Sequence, residues 1–276
     1  MRLKLAGFAV AAASLLASPG AFAADMPTKM PVKAARIAAA PSWTGFYIGG
    51  NVGGGWGTTN IGYVANDPGT ASPFGIGGTP NVSSVKTSGA LGGVQVGYNW
   101  QFAPTWVAGL EADFDWSGLK GSGAGNFSIV GFPFAATAEE RIKWFGTARA
   151  RLGYLPMNNF LAFVTGGLAY GRVNQSAAYI NNSSANIRFT GVPILTCLAN
   201  ATCLAGSSST TAVGWTAGGG FEYAIAPKWT VKAEYLYVSL ASSSVTETQP
   251  TSNSSINANF GRTNFNVARI GVNYRY

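Results

Sequence analysis

An all-β fold, an eight-stranded antiparallel up-and-down transmembrane β-barrel, is what this sequence predicts, and three observations carry the prediction. Eight stretches alternate apolar residues with polar or small ones, the period of a strand that has one apolar face. The connections between them alternate in length, tight turns with long polar segments. Charged residues make up only 10% of the 276, beside 13% aromatics and 37 glycines, where a soluble domain carries about a quarter charged residues. Beyond the N-terminus no apolar run approaches the ~20 residues of a membrane-spanning helix. The apolar surface is therefore spread along strands, as in a lipid-facing barrel.

Residues 1–23 read as a signal peptide: Arg2 and Lys4, an apolar core from Leu5 to Leu16, then Ser18, Pro19 and Gly20. Ala21 and Ala23 occupy the −3 and −1 positions, so cleavage is expected between Ala23 and Ala24. The apolar core is too short to span a bilayer. Export of a barrel points to the cell outer membrane of a Gram-negative bacterium, with outer-membrane lipid and lipopolysaccharide as the surrounding partners. Residues 24–42, rich in Ala, Pro and Lys without alternation, are expected to form a flexible periplasmic tail. Residues 43–276 make up the barrel domain.

The first stretch, about 43–58, sets Phe46, Ile48, Val52 and Trp56 against Tyr47, Gly49, Asn51, Gly53 and Gly55. The second, 87–102, sets Val94, Val96, Tyr98 and Trp100 against Gln95, Gly97 and Asn99. In the third, 105–118, Trp106, Leu110, Phe114 and Trp116 oppose Glu111, Asp113 and Asp115. The fourth, 140–155, turns Ile142, Trp144, Leu152 and Tyr154 away from Lys143, Thr147, Arg149 and Arg151. The fifth, 160–174, is apolar on both faces. The sixth, 210–225, pairs Val213, Trp215, Phe221 and Tyr223 with Thr216, Gly218, Gly220 and Glu222; the seventh, 229–241, pairs Val231, Tyr235 and Tyr237 with Lys232 and Glu234. In the last, 264–276, Ile270, Val272, Tyr274 and Tyr276 alternate with Arg269, Gly271, Asn273 and Arg275.

Ala103-Pro104-Thr105, Pro156-Met157-Asn158-Asn159 and Ala226-Pro227-Lys228 are the tight turns. Long segments rich in Gly, Ser, Asn and Thr, about 59–86, 119–139, 175–209 and 242–261, form the other connections. Short turns on one side and long loops on the other are the outer-membrane arrangement, with the short side and both chain ends periplasmic. An internal echo supports this register. Gly97–Trp106 (GYNWQFAPTW) resembles Gly220–Trp229 (GFEYAIAPKW), and a glutamate, Glu111 or Glu234, follows each tryptophan by five.

With the apolar faces in lipid, the inward positions carry Glu111, Asp113, Asp115, Glu222 and Glu234 against Lys143, Arg149, Arg151, Lys232, Arg269 and Arg275. An eight-stranded barrel is only wide enough for side chains to fill, so these charges are expected to pair and plug the lumen. Paired burial is tolerable where unpaired burial is costly. The alternative is a narrow polar path for small solutes. The chain has no histidine, which removes the commonest general base, metal ligand and partner of a nucleophile. No enzyme activity, cofactor or metal is expected, even though Glu111, Asp113 and Asp115 share one strand face. The net charge of +8 is scattered rather than gathered into a nucleic-acid-binding patch, and no nucleic-acid partner is expected. Cys197 and Cys203 stand in the third long segment; in an exported protein a disulfide between them is expected. Gly53–Gly55 and Gly218–Gly220 lie inside alternating stretches and lack the lysine and serine of a phosphate loop.

The segment Trp43–Trp56 (WTGFYIGGNVGGGW) resembles the first strand of the alphaproteobacterial outer-membrane immunogenic proteins, members of the wider opacity-like "porin family" of eight-stranded barrels. Gly97–Trp100, Glu234–Tyr237 and Ala268–Tyr276 are similar too, and the resemblance covers 43–276. It implies an abundant, surface-exposed envelope protein, and some members are credited with haemin binding or weak pore formation. This chain offers no histidine as an axial haem ligand and ends on tyrosine where phenylalanine is usual. The resemblance further implies that the apolar face of the last strand, Ile270, Val272, Tyr274 and Tyr276, is the signal read by the barrel-assembly machinery. The expected function is structural: envelope integrity, with four loops facing outward. A narrow channel, or loop-mediated binding of haemin or of a host or phage surface, are the alternatives, with any external ligand unknown.

Overall fold

The computed structural model describes residues 42–276; the expected signal peptide, the expected Ala23–Ala24 cleavage position and the expected tail up to residue 41 lie outside the described residues. In chain order the elements are β1 (Gly45–Ala65), α1 (Pro68–Gly75), β2 (Ser84–Ala103), β3 (Trp106–Ile129), β4 (Phe132–Met157), β5 (Phe160–Asn181), β6 (Ile187–Phe189), β7 (Leu195–Cys197), β8 (Ala201–Ala226), β9 (Trp229–Leu240), β10 (Ser243–Thr248), β11 (Ser255–Phe260) and β12 (Thr263–Arg275). Strands β1, β2, β3, β4, β5, β8, β9 and β12 pair antiparallel in that order, and β12 returns to β1. The ring leaves no open edge inside the bilayer, which satisfies every backbone donor and acceptor there. This is the eight-stranded barrel that the alternation predicts.

The outward faces follow the sequence pattern. Phe46, Ile48, Val52 and Trp56 on β1 and Val94, Val96, Tyr98 and Trp100 on β2 are all exposed to the surroundings. At the periplasmic side Phe46 packs on Tyr98, Trp106 on Tyr154 and Trp229 on Tyr274. Trp56, Trp116, Trp144, Tyr170 and Trp215 mark the other edge of the apolar band. Such paired girdles lie at the two interfaces of a bilayer. The fifth stretch is apolar on both faces for a physical reason: Leu161, Phe163, Ala169 and Val173 of β5 point into the barrel interior, which is itself partly apolar.

The long connections are shorter than the sequence suggests. The strands run on through nearly all of 119–139 and enter 59–86 and 175–209 from both sides, while 242–261 forms β10 and β11. β3 has 24 residues and β4 has 26, against ~9–11 for a crossing. At ~3.3 Å per residue and a tilt near 40°, β3 rises on the order of 60 Å, more than twice the ~25 Å apolar band. The connection from β3 to β4 is only Val130-Gly131, both at positive φ (48° and 84°), the geometry of a two-residue hairpin turn. Above the band β11 takes over pairing with the upper part of β1, and β10 pairs with β11 and meets β8 at Ala205. The wall therefore continues beyond the bilayer.

Candidate functional site

The barrel interior is the candidate site, and β4 displays its layers in order. From the periplasmic end its inward residues are Leu155, then Arg151, Arg149 and Thr147, then Phe145 and Ile142, then Glu140, then Ala138 and Ala136, and finally Phe134, all buried. At the bottom Leu155 packs with Trp43, Val107 and Leu161. Trp43 closes this end, its indole Nε1 donating to Asn158 O at 3.0 Å while Arg275 sits 4.7 Å over its ring.

Above this floor lies the charged layer. Arg149 donates to Glu111, to Asp113 (2.7 Å) and to Glu234 (2.7 Å). Arg269 reaches Asp113 (2.7 Å), Asp115 (2.5 Å) and Glu234 (2.8 Å). Arg151 pairs with Glu222 at 2.7 Å, and Lys232 pairs with Glu111 at 2.8 Å. Tyr47 donates its hydroxyl to Glu111 at 2.6 Å and accepts from Arg151 at 3.1 Å. A Cβ on the facing Gly97 would collide with the Tyr47 phenol, so glycine there makes room for the network. Thr147, Thr230 and Asn273 supply further donors, to Asp113, Glu222 and Glu222 respectively. The echo between the two hairpins has a structural counterpart: Glu111 and Glu234 hold Arg149 from opposite sides. β3 and β9 stand diametrically opposite in the ring, so the Lys232–Glu111 pair spans the lumen.

Two residues expected in this layer sit elsewhere. Lys143 is exposed and faces outward. The pairing of β4 with β5 shifts by one between Ile142 and Trp144, a β-bulge that turns Lys143 out and Ile142 in. Strict alternation counted back from Arg149 therefore fails at that point. Arg275 does point inward, but it donates to the carbonyls of Ser42 and Pro227 rather than to an acid. Five acids and four bases form the layer.

The next layer is apolar. Phe145 of β4 and Phe265 of β12 meet edge to face with ring centroids 5.3 Å apart, although their strands lie on opposite sides of the ring. Leu91, Leu119, Ile142, Leu236 and Leu240 fill the space around them. Higher still, Glu140 accepts from Thr59 (2.8 Å), Gln175 (2.7 Å) and Thr263 (3.2 Å). A second apolar layer, including Val85, Ala138, Val245 and Phe260, follows. Two further acids are interior, Glu140 and Glu247, which in the sequence lie at the edge of or inside the long polar segments. The period-two run through Gly121, Gly123 and Gly125 was the available sign that strands continued there.

At the outer end Cys197 and Cys203 are joined by a disulfide, with Cα atoms 4.8 Å apart. They pack with Phe134, Tyr179, Phe189 and Leu195. Asp67 caps α1 by accepting from Thr70 N at 3.0 Å and also accepts from Ser255 N at 2.7 Å. Gln249 binds the backbone of Thr196. The first, third and fourth connections are thus tied into one cap. Glu247 is buried beneath it with neither carboxyl oxygen hydrogen-bonded, and burial raises its pKa to about 8. Ile270 and Val272 face outward, as does Tyr276, while Tyr274 stacks edge-on against Tyr276.

Comparison with known proteins places these features in context. A family profile described as the outer membrane protein beta-barrel domain matches residues 8–276. The 31 kDa outer-membrane immunogenic protein of Brucella melitensis biotype 1 is 36% identical over 236 residues, covering 85% of this chain and 84% of that protein. The 22 kDa outer membrane protein of Rhizobium leguminosarum bv. viciae is 34% identical over 156 residues, 56% of this chain and 57% of that protein. Among solved structures, Neisserial surface protein A aligns with a TM-score of 0.37 at 11% identity, covering 84% of this chain and 98% of that one.

Proposed function

This chain belongs to the outer membrane protein β-barrel family, and on that premise we propose that it is a non-conducting structural protein of the cell envelope, carrying a rigid extracellular cap. The observation behind this reading is contact across the full width of the barrel at two heights. Lys232 meets Glu111 in the charged layer, and Phe145 meets Phe265 in the apolar layer above it. A hydrated ion would have to break a buried ion pair and then cross a packed hydrocarbon layer, each opposed by desolvation. No histidine stands among the interior carboxylates to serve as a base, which supports a non-catalytic role. The surface exposure implied by the cap accords with the word immunogenic in the name of the Brucella relative.

Planar-bilayer recording of the purified protein tests the reading. We expect no unitary currents at neutral or mildly acidic pH. Stable, reproducible conductance steps from folded protein would replace it with the narrow-channel reading.

A further inference from the structure

The outer wall of the barrel holds a cluster of bases that the lumen does not use. Lys86 on β2, Lys120 on β3, Arg141 and Lys143 on β4, and Arg172 on β5 all face outward on four neighbouring strands. Lys120 and Arg141 are directly opposite in the β3–β4 register, and Lys120 also faces Ser88, two residues from Lys86. Arg172 lies opposite Trp144, beside the bulged Lys143. Like charges placed across from one another are destabilising in a sheet, so the arrangement calls for a counter-charge from outside. The protein supplies little of it. Every ion pair among the described residues lies in the lumen, and Glu139 is the one outward acid on this face.

The height of the cluster identifies the counter-charge. Trp116 and Trp144, paired directly across β3 and β4, end the apolar band, and the bases begin within the next few residues. Interfacial tryptophan marks the headgroup level of a bilayer, so the ammonium and guanidinium groups stand at the level of lipid phosphates in the outer leaflet. Next to Lys120 and Arg141 the wall forms a concavity of about 900 Å³. Glu139 stands in its wall as the single exposed acid, and its far side is built of hydroxyls and an amide, Asn174, Ser176, Ser207 and Ser209, with Ser209 donating to Asn174 at 2.6 Å. Bases at the phosphate level beside a hydroxyl-rich hollow fit a phosphorylated sugar headgroup better than a simple glycerophosphate.

We propose that this wall, centred on Lys120 and Arg141 and flanked by Lys86, Lys143 and Arg172, is a binding site for the phosphorylated sugar headgroup of an outer-leaflet glycolipid of the lipopolysaccharide type. The site is independent of whether the lumen conducts. Arg141 can grip a phosphate in bidentate fashion while Lys120 acts as a point charge.

The test uses the full protein purified from outer membranes and stripped of lipid. It is titrated with detergent-solubilised lipopolysaccharide, with the same material dephosphorylated, and with phosphatidylglycerol. We expect the phosphorylated glycolipid to bind at least about tenfold more tightly than either comparison. Lys120→Gln with Arg141→Gln should weaken it roughly thirty-fold, equivalent to about 2 kcal/mol at ~1 kcal/mol per interfacial base. Lys228→Gln, in a periplasmic turn, should leave binding unchanged. Should the double variant fail to assemble, Lys143→Gln alone is read instead, with a roughly fivefold loss expected. Equal binding of all three lipids, unchanged binding by the variants, or full displacement by millimolar inorganic phosphate would each overturn the proposal.

Discussion

Arg269 touches three carboxylates, Asp113, Asp115 and Glu234, none of which has access to solvent. Replacing it with alanine leaves three buried acids sharing fewer cations, a change that typically costs about 3–5 kcal/mol. Arg269→Ala is therefore expected to lower the unfolding free energy in detergent by that order, read from the shift of the urea midpoint. Arg269→Lys should recover only part of it, because an ammonium cannot reproduce the guanidinium fork. Equal stability of wild type and Arg269→Ala would remove the network from the forces holding the barrel. Glu247 gives a prediction of opposite character. Burial raises its pKa from 4.5 to about 8, so between those values the folded protein keeps a proton that the unfolded chain releases. Its contribution to stability is thus full below pH 4.5 and falls as pH rises to about 8, by up to about 1.4 kcal/mol per unit. Above that the effect is constant. Glu247→Gln should flatten this part of the pH dependence of thermal unfolding; an unchanged slope would sink the assignment. Residues of this kind were unequally legible. The inward acids of β3 could be placed by counting, whereas Lys143 could not, because one bulged residue inverts the phase and leaves no mark in composition.

The turn Val130-Gly131 carries the clearest cost at the scale of elements. Glycine adopts positive φ freely, but Val130 is a β-branched residue at φ 48° and is 71% exposed, so it gains no packing in return. Val130→Asn should stabilise the β3–β4 hairpin by roughly 1 kcal/mol, measured as a higher urea midpoint; destabilisation would mean that this side chain has a contact worth keeping. The same hairpin explains why strand ends were the least legible part of the sequence. Gly, Ser and Asn from 119 to 128 look like loop by composition, yet they are paired strand, and at Gly121 the neighbouring strand passes so close that a Cβ would strike the backbone carbonyl of Lys86. The last strand makes a separate prediction. Its outward aromatic terminus, Tyr276, is 76% exposed and makes little difference to interior packing. Under the proposal that it belongs to an assembly signal, Tyr276→Ala should reduce the amount of heat-modifiable protein in the outer membrane but leave refolding into detergent unchanged. Loss of both together would make it a packing residue instead.

Over the whole molecule, the proposed non-conducting reading makes the interior two closures in series, one ionic and one apolar. Phe145→Ala with Phe265→Ala removes the ring contact from the upper one while the ion pairs below still span the lumen. The double variant is expected to lose stability, about 3–5 kcal/mol for each fully buried ring, yet to stay electrically silent in bilayers. Currents from this variant alone would show that the charged layer is permeable and that the rings did the sealing. The barrel, its eight strands and its lipid-facing surface were legible because a period of two is repeated over long runs. The stacking of polar and apolar layers was not, since it depends on which inward residues reach the same height from eight separate strands.

The height of the wall beyond the bilayer has a consequence for how antibodies would meet this protein. Residues 119–139, which a linear reading treats as a loop, are held in paired strands down to a two-residue tip. A serum raised against a free peptide of that segment would recognise the denatured chain on a blot and pass over intact cells. Antibodies able to bind living cells must instead read side chains gathered from neighbouring strands, so an effective immunogen has to present the folded cylinder.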